Sequence, residues 1–455
     1  MPSIPCFKAY DIRGKVPDQL NTDLAHKIGL AYANHLQPKT VAIGHDIRLE
    51  SPELAEALTK GLIQGGADVY DLGLCGTEEI YFATFYHGFD GGIMVTASHN
   101  PKGYNGMKLV TEGARPISGD TGLKAIAQRI EDQALTPAAK PGQHHALPDK
   151  TAYIQHLLGY VTPQTLKRQK IVFNCGNGSA AAMIESLISQ LPIDPIYLHC
   201  EPDGHFPNGV PNPLLHENRQ ETAQAVVQHQ ADFGVAWDGD FDRCFLFDEK
   251  GQFIEGYYLV GLIAERLLQD HPGEKILHDP RLTWNTIELV EKAGGLPIES
   301  KTGHAFIKER MRKENALYGG EMSSHHYFRD FTYCDSGMIP WLLIMQQLSD
   351  TQQPLSRLVA HCQKAYPCSG EINHTVADIP ATLAAIQTHF QGQAPSISQI
   401  DGLSLDFDSW RLNVRASNTE PLLRINIETR GNADLVQEKL KEVEAIIQQT
   451  KRESS

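Results

Sequence analysis

One pattern occurs three times in this chain, and it restricts the fold more than any other feature. Each copy opens with a short apolar run that ends in a polar loop: Val41–Arg48 (VAIGHDIR), Ile171–Ser179 (IVFNCGNGS) and Lys275–Leu282 (KILHDPRL). A helical stretch follows, as in Ser51–Gly65, where Ser51, Pro52 and Glu53 start a helix ahead of spaced apolar residues. A second apolar run comes next (Ala67–Gly73, Ile193–Cys200 and Gly295–Glu299). The third run of each copy ends in an unusually polar loop: Gly92–Val95 into TASHNP, Phe233–Ala236 into WDGDFDRC, Leu317–Gly320 into EMSSHH. Short buried-type strands alternating with helices imply related α/β domains with mixed, largely parallel sheets. Ligands of such sheets sit beyond the carboxyl ends of the strands, which is where all three polar loops fall.

The pattern breaks at about Tyr366. Two apolar runs, Trp410–Val414 and Leu422–Ile427, flank a polar loop, and an acidic–basic helix follows from Asp434 to about Gln449. A smaller C-terminal α+β domain fits this stretch. The expected division of the 455 residues is 1–148, 149–252, 253–365 and 366–455. The joints lie in Ala134–Pro148, around Glu249–Gly256 and in His361–Gly370.

Composition narrows the partners. With 40 Lys+Arg against 55 Asp+Glu, the net charge of −15 opposes non-specific binding to nucleic acid, which needs a basic excess. It leaves room for anionic small molecules, because local basic clusters can reverse the field within one site. No run approaches the 18 or so apolar residues of a membrane span; even Ile339–Met345 stops at Gln346. Met1–Gly14 has no apolar core of signal-peptide length. Eight cysteines (6, 75, 175, 200, 244, 334, 362, 368) are scattered without a C-x-x-C pair, as expected of buried thiols in a reducing compartment. The expected location is the cytoplasm, with no membrane and no nucleic-acid partner; the sequence leaves the oligomeric state open.

The most informative loop is Asp238-Gly239-Asp240-Phe241-Asp242-Arg243. Three carboxylates at alternate positions around a glycine turn make an oxygen cage suited to Mg²⁺. A solvated acidic turn is the plain alternative, but the loop sits between two apolar runs, where three unneutralised charges are costly. An EF-hand does not fit, because Arg243 stands where the sixth-position glycine belongs. The loop Thr96-Ala97-Ser98-His99-Asn100-Pro101, with Lys108 downstream, offers a serine suited to act as a nucleophile or phosphate carrier. Alone, Ser98 reads equally as a turn residue, and His99 as an ordinary hydrogen-bonded histidine. Glu321 and Ser323 offer a carboxylate and a hydroxyl to a polyhydroxy ligand, with Lys301–His304 upstream. The neighbours His325 and His326 should diverge, which opposes a zinc pair. Arg415-Ala416-Ser417-Asn418-Thr419-Glu420-Pro421, followed by Arg424, clusters hydroxyls and guanidiniums as a phosphate requires, although a polar hairpin would look similar. Gly176-Asn177-Gly178-Ser179 mimics a dinucleotide fingerprint, yet the chemistry-bearing residues lie elsewhere. Neither a G-x-S-x-G elbow nor a Walker A sequence occurs.

Taken together, these loops resemble the α-D-phosphohexomutase superfamily over essentially the whole chain. The motifs appear in the family's order: Lys8-Ala9-Tyr10-Asp11-Ile12-Arg13-Gly14, TASHNP, DGDFDR, GEMS and RASNTEP. The wording of KAYDIRG, GTEEIYFAT (Gly76–Thr84) and SNTEP is most similar to bacterial phosphomannomutases. The resemblance implies four domains around a central cleft, three of them related. It implies interconversion of mannose 6-phosphate and mannose 1-phosphate through a hexose 1,6-bisphosphate, supplying GDP-mannose synthesis. Ser98 would be the phosphoserine and would complete the Mg²⁺ shell of Asp238, Asp240 and Asp242. Lys108, His99 and Arg243 would surround the transferring phosphate, with Lys108 moving the proton. Glu321, Ser323, His304 and His325 would bind the sugar. Arg415, Ser417, Asn418, Thr419 and Arg424 would hold the other phosphate, and Tyr10 and Arg13 match cleft residues. Two positions depart from the family's pattern: Phe241 and Ser324 stand where many members have glycine. A phosphoglucomutase or a dual-specificity enzyme is the alternative within the class, and a non-catalytic sugar-phosphate binding protein the alternative outside it.

Overall fold

The computed structural model describes residues 4–393, 396–416 and 422–453, and they form two compact units. The first unit comprises Met1–Phe253 and His325–Gln352, the second Ile254–Ser324 and Gln353–Ser455.

The repeat seen in the sequence recurs as one strand arrangement. In the first unit, Thr40–His45 lies parallel between Asp68–Leu74 and Gly91–Val95. Gln169–Asn174 lies in the same way between Ile193–Leu198 and Phe233–Trp237. In the second unit, Lys275–His278 lies between Leu296–Glu299 and Tyr318–Gly320. Each time the first strand is central, with the second on one side and the third on the other. The chain therefore leaves the central strand and the third strand in opposite directions, and this opens a crevice at their carboxyl ends. The strands carry near-continuous apolar runs because helices cover them: Val41, Ile43, Ile93 and Val95 pack in one core with Ile28, Leu54 and Leu58.

Antiparallel strands extend the two sheets of the first unit. Tyr104–Thr111 pairs with Gly91–Val95, Ile12–Lys15 with Tyr104–Thr111, and Cys244–Asp248 with Phe233–Trp237. The hairpin partner therefore returns directly from each polar loop, which keeps TASHNP and DGDFDR short and fixed at both ends. The last domain is an antiparallel sheet ordered Ile372–Thr375, Leu422–Thr429, Trp410–Ala416, Leu403–Asp406, Ser396–Ser398. Helices Ile379–Phe390 and Ala433–Glu453 cover it, with Leu412, Ile425, Ile386 and Val443 among its core residues. Among the described residues, no helix is long and apolar enough to cross a membrane.

Candidate functional site

Ser98 follows the strand Gly91–Val95 in left-handed backbone, with φ 46° and the side chain nearly buried. Non-glycine residues adopt this conformation only when surrounding groups hold them there. Two buried side chains do so. Asp46, at the end of the central strand, accepts from Thr96 Oγ1 (2.8 Å), the Ala97 amide (3.3 Å) and Ser51 Oγ (2.5 Å), while Thr96 Oγ1 accepts from the Ser98 amide (2.8 Å). The Arg48 guanidinium donates to four backbone carbonyls of one loop: Ser98 (2.8 Å), Asn100 (2.5 Å), Pro101 (3.1 Å) and Tyr104 (3.1 Å). Four carbonyls facing one point make a cation site, and the planar fork of arginine fills it.

The acidic loop meets this serine within the same unit. Gly239 lies so close that a Cβ there would fall 2.5 Å from the Ser98 carbonyl oxygen, so glycine is required. Ser98 Oγ donates to Asp238 Oδ2 at 3.0 Å, and that oxygen also accepts from Arg243 Nε (2.9 Å) and Nη2 (2.7 Å). Lys108 Nζ bridges Asp240 Oδ2 (2.6 Å) and Asp242 Oδ2 (2.5 Å), and Thr77 Oγ1 donates to Asp240 Oδ2 at 2.5 Å. Burial pushes the Asp240 carboxyl up, but the Lys108 charge and the hydrogen bonds bring it below its ordinary value overall. Asp242 is pushed up to about 6, by burial first and then by the neighbouring Asp240.

His99 has one assignable role. Arg243 Nη2 lies 2.6 Å from its Nδ1, and a guanidinium can only donate, so Nδ1 is an acceptor and the ring is neutral. Burial, then the charges of Arg243, Arg13 and Lys108, drive its pKa well below the usual range. His99 therefore orients groups and carries no proton at Nδ1, although Ser98 Oγ is 3.1 Å away.

The three aspartates present ligand oxygens within 4.8 Å of one another. Asp238 Oδ1 and Asp240 Oδ1 are buried and have no hydrogen-bond partner among the described residues. Two orphaned carboxylate oxygens in an all-oxygen set fit a hard divalent cation.

Other candidates of the first unit flank this cluster. Arg13 pairs with Asp11 at 2.5 Å and donates to the Thr96 carbonyl at 3.3 Å. Tyr10 is half-buried in the turn before Ile12–Lys15. His325 belongs to this unit too: its Nδ1 is 2.9 Å from Asp335 Oδ2, and it faces Asp242. Burial lowers its pKa, but the Asp335 hydrogen bond and the Asp242 and Asp335 charges outweigh this and raise it. His326 diverges from it into the core, fully buried, as expected of adjacent histidines.

The second unit holds its own polar cluster, centred on Arg281. Its Nη2 contacts Asp279 Oδ2 (2.6 Å), Ser323 Oγ (3.4 Å) and Glu321 Oε2 (3.6 Å). Glu321 accepts from the Gly303 amide at 3.1 Å, which ties it to the start of the helix His304–Glu314. Glu371 receives three guanidiniums: Arg415 Nη2 (3.0 Å), Arg424 Nη1 (3.2 Å) and Arg281 Nη1 (3.5 Å). The Arg415 pKa is lowered, by burial first and then by Arg281, with Glu371 compensating only in part. Arg415 and Arg424 thus share the one carboxylate of Glu371, and the Nε of each is buried with no hydrogen-bond partner among the described residues, which suits an anion. Ser417, Asn418 and Thr419 lie outside the described residues.

Sequence reasoning passed over Asp46, Arg48, Arg281 and Glu371. A signal was present for three of them: His45-Asp46-Ile47-Arg48 and His278-Asp279-Pro280-Arg281 repeat the same His-Asp-x-Arg at the end of a central strand. Both copies fold alike, each arginine amide donating to its aspartate (3.0 and 2.9 Å) and each aspartate holding the loop after the third strand. Glu371 carried no pattern. The glycine-rich decoy is absorbed structurally, since the Ser179 amide donates to the Gly239 carbonyl at 3.1 Å and so braces the acidic loop.

Four segments match the phosphoglucomutase/phosphomannomutase family: residues 5–136 its alpha/beta/alpha domain I, 151–251 domain II, 255–366 domain III and 371–446 its C-terminal domain. The chain is 56% identical over 445 residues to a protein of Xanthomonas campestris pv. campestris described as phosphohexose mutases, covering 98% of this chain and 99% of that one. It is 55% identical over 456 residues to a phosphomannomutase of Salmonella typhimurium, covering 99% and 100%. A crystal structure of a phosphoglucomutase/phosphomannomutase family protein from Burkholderia thailandensis superposes with a TM-score of 0.87 at 31% identity, covering 97% of each chain.

Proposed function

Because this chain belongs to the phosphoglucomutase/phosphomannomutase family, and is thus an intramolecular phosphotransferase acting on hexose phosphates, we propose that it interconverts mannose 6-phosphate and mannose 1-phosphate, with Ser98 as phosphoryl carrier. The observation that carries this reading is the meeting of Ser98 Oγ, three buried carboxylates and the Lys108 ammonium at one point. A simple binding protein needs no such carrier.

Phosphoryl transfer demands in-line positioning and neutralisation of charge more than covalent chemistry. Asp238, Asp240 and Asp242, with the Ser98 phosphate, would hold Mg²⁺, which when bound withdraws charge from the phosphoryl oxygens. The protein's own residues do the rest. Arg48 and Asp46 fix the Ser98 backbone, and Arg243 with neutral His99 orients its oxygen. Lys108, held protonated between two carboxylates, gives a hydrogen bond and a proton to the sugar oxygen as the phosphoryl group leaves it.

Glu321, Ser323, His304 and His325 bind sugar hydroxyls, and Tyr10 and Arg13 contact the substrate. Arg415 and Arg424, with Ser417, Asn418 and Thr419, hold the phosphate that is not reacting. One serine serves both O1 and O6, so a hexose 1,6-bisphosphate must form and present either end to it. The product supplies GDP-mannose synthesis. The phosphomannomutase relatives at about 55% identity favour mannose over its 2-epimer.

A coupled assay primed with a trace of bisphosphate tests this reading. The expected result is a higher kcat/KM for mannose 1-phosphate than for glucose 1-phosphate, one labile phosphate by intact mass, and near-complete loss of turnover in Ser98→Ala with sugar-phosphate binding retained. Wild-type-like turnover by Ser98→Ala would remove the carrier assignment, and a preference for glucose 1-phosphate the mannose assignment.

A further inference from the structure

Two of the scattered cysteines come together where the sequence shows no motif. Cys175 follows the strand Gln169–Asn174, and Cys200 follows its parallel neighbour Ile193–Leu198. Their sulfurs lie 2.8 Å apart. The adjoining backbone holds both strand ends in place: the Cys175 amide donates to Leu198 O (3.1 Å), the Asn177 amide to His199 O (2.7 Å), and Asn177 Nδ2 to Glu201 O (2.8 Å). The pair is asymmetric, Cys175 being fully buried and Cys200 partly exposed. The activity proposed above uses neither thiol.

We propose that Cys175 and Cys200 form a redox-active dithiol that peroxide converts to an intramolecular disulfide, with Cys200 the attacking sulfur and Cys175 the resolving one. The Cys200 thiolate attacks one oxygen of hydrogen peroxide; the O–O bond breaks, and the departing hydroxide leaves as water after taking a proton. Cys200 is then a sulfenic acid. The Cys175 sulfur attacks the Cys200 sulfur, the S–O bond breaks, and the hydroxyl departs with the Cys175 proton as a second water. Two thiols and one peroxide give one disulfide and two waters.

The roles follow from access and acidity. Of the pair, solvent reaches only Cys200, and the hydrogen bond it shares with Cys175 lowers its pKa, whereas burial holds Cys175 well above the usual range. Condensation with a sulfenic acid proceeds from a thiol held alongside it, so a buried resolving partner suffices. The sulfurs have less than about 1 Å to close to the disulfide length of about 2.05 Å. In a reducing compartment such a bond is transient, and that is the usual setting of redox-sensing pairs.

The test exposes the reduced full-length protein to hydrogen peroxide, then denatures it and alkylates the remaining thiols. The expected result is two fewer alkylated cysteines than the eight of the reduced chain, a proteolytic peptide joining 175 to 200, and reversal by dithiothreitol. In Cys175→Ser, a dimedone-reactive sulfenic acid should instead accumulate on Cys200. The proposal is overturned if the wild type builds up dimedone adducts on Cys200 with Cys175 still alkylatable. It is also overturned if all eight thiols survive peroxide that oxidises free cysteine.

Discussion

Phe241 packs over Gly76, so closely that a Cβ on Gly76 would fall 2.1 Å from its ring. The contact explains how a phenylalanine stands in a turn where many family members have glycine. Phe241 keeps the left-handed backbone, φ 43°, at a strain of about 1–2 kcal/mol, and complete burial of its ring offsets about 1.5–3 kcal/mol. Ser324, the other departure, likewise retains φ 67°. Gly76→Ala should cost roughly 1–3 kcal/mol by overpacking. It should also lower kcat, because the Thr77 amide and hydroxyl both hold Asp240. Combining it with Phe241→Gly should recover part of that loss. Urea unfolding of the double-mutant cycle measures the coupling, and additive effects would show that ring and glycine are independent.

Asp240→Asn tests the charge balance of the acidic loop. Repulsion among three carboxylates, taken alone, predicts that the substitution stabilises the metal-free protein. The ion pair with Lys108 reverses that sign: Asp240 accepts from Lys108 and Thr77, and its carboxyl is held below the ordinary value. The variant should lose about 1.5–3 kcal/mol without metal, the worth of hydrogen bonds to a charged group. It should bind Mg²⁺ more weakly as well. Thermal melts with and without Mg²⁺ measure both effects, and a metal-free variant more stable than wild type would mean that Lys108 does not neutralise the loop.

Arg48→Lys should lower kcat by about tenfold or more while leaving KM for the sugar phosphate nearly unchanged. A lysine places its three donors at one point and cannot reach four carbonyls spread from Ser98 to Tyr104. The loop would then hold Ser98 out of line, which acts on transfer and not on binding. Guanidinium chloride added to Arg48→Ala should restore part of the rate. A rise in KM with kcat intact would instead place Arg48 at the substrate.

The stability of the wild type should fall as the pH drops below about 6.5. His326 is buried neutral, and burial, then the charge on His325, lowers its pKa to about 3. Its folded pKa lies below the unfolded value, so unfolding takes up a proton between pH 6.5 and 3. Each unit in that window costs up to about 1.4 kcal/mol. Denaturant midpoints at pH 7, 6, 5 and 4, compared with those of His326→Gln, isolate the contribution. Parallel curves for the two proteins would mean that His326 does not titrate in this way.

Much of this was legible because the α/β repeat writes itself into hydrophobic runs. Gly91–Val95 and Phe233–Trp237 match the apolar runs to within a residue, and the loops that follow carry the chemistry. The loops were readable where several functional side chains share one segment, as in Asp238-Gly239-Asp240-Phe241-Asp242. Residues that act from other strands were not. Glu371 is a single carboxylate after a glycine, and only folding sets it among Arg281, Arg415 and Arg424. Cys175 and Cys200 were equally hidden, because parallel pairing brings together residues 25 apart in sequence. His325 neighbours Ser324 in the chain yet faces Asp242 and Asp335, a direction that spacing does not encode.

Arg415 and Arg424 pair directly across the hairpin of the last sheet, two like charges that share the Glu371 carboxylate among the described residues. Like charges directly opposite are destabilising, and an anionic ligand would relieve them. A phosphate supplies the missing charge and accepts bidentate bonds from both. On the proposed reaction this phosphate is the one not being transferred, whichever end of the sugar carries it. Arg415→Ala should therefore weaken productive use of mannose 1-phosphate and mannose 6-phosphate to similar extents, by about 1.5–3 kcal/mol, or roughly 10- to 150-fold in kcat/KM. Arg424→Ala should act in the same direction. Glu371→Gln should not mimic either variant, since it removes a competitor for the same guanidiniums. With the anchor weakened, the bisphosphate should escape more often before its second transfer. Rates in both directions, with free bisphosphate followed by phosphorus NMR, measure the two effects together. A loss confined to one substrate, with no added release of bisphosphate, would mean that each phosphate has its own anchor and that these arginines serve only one of them.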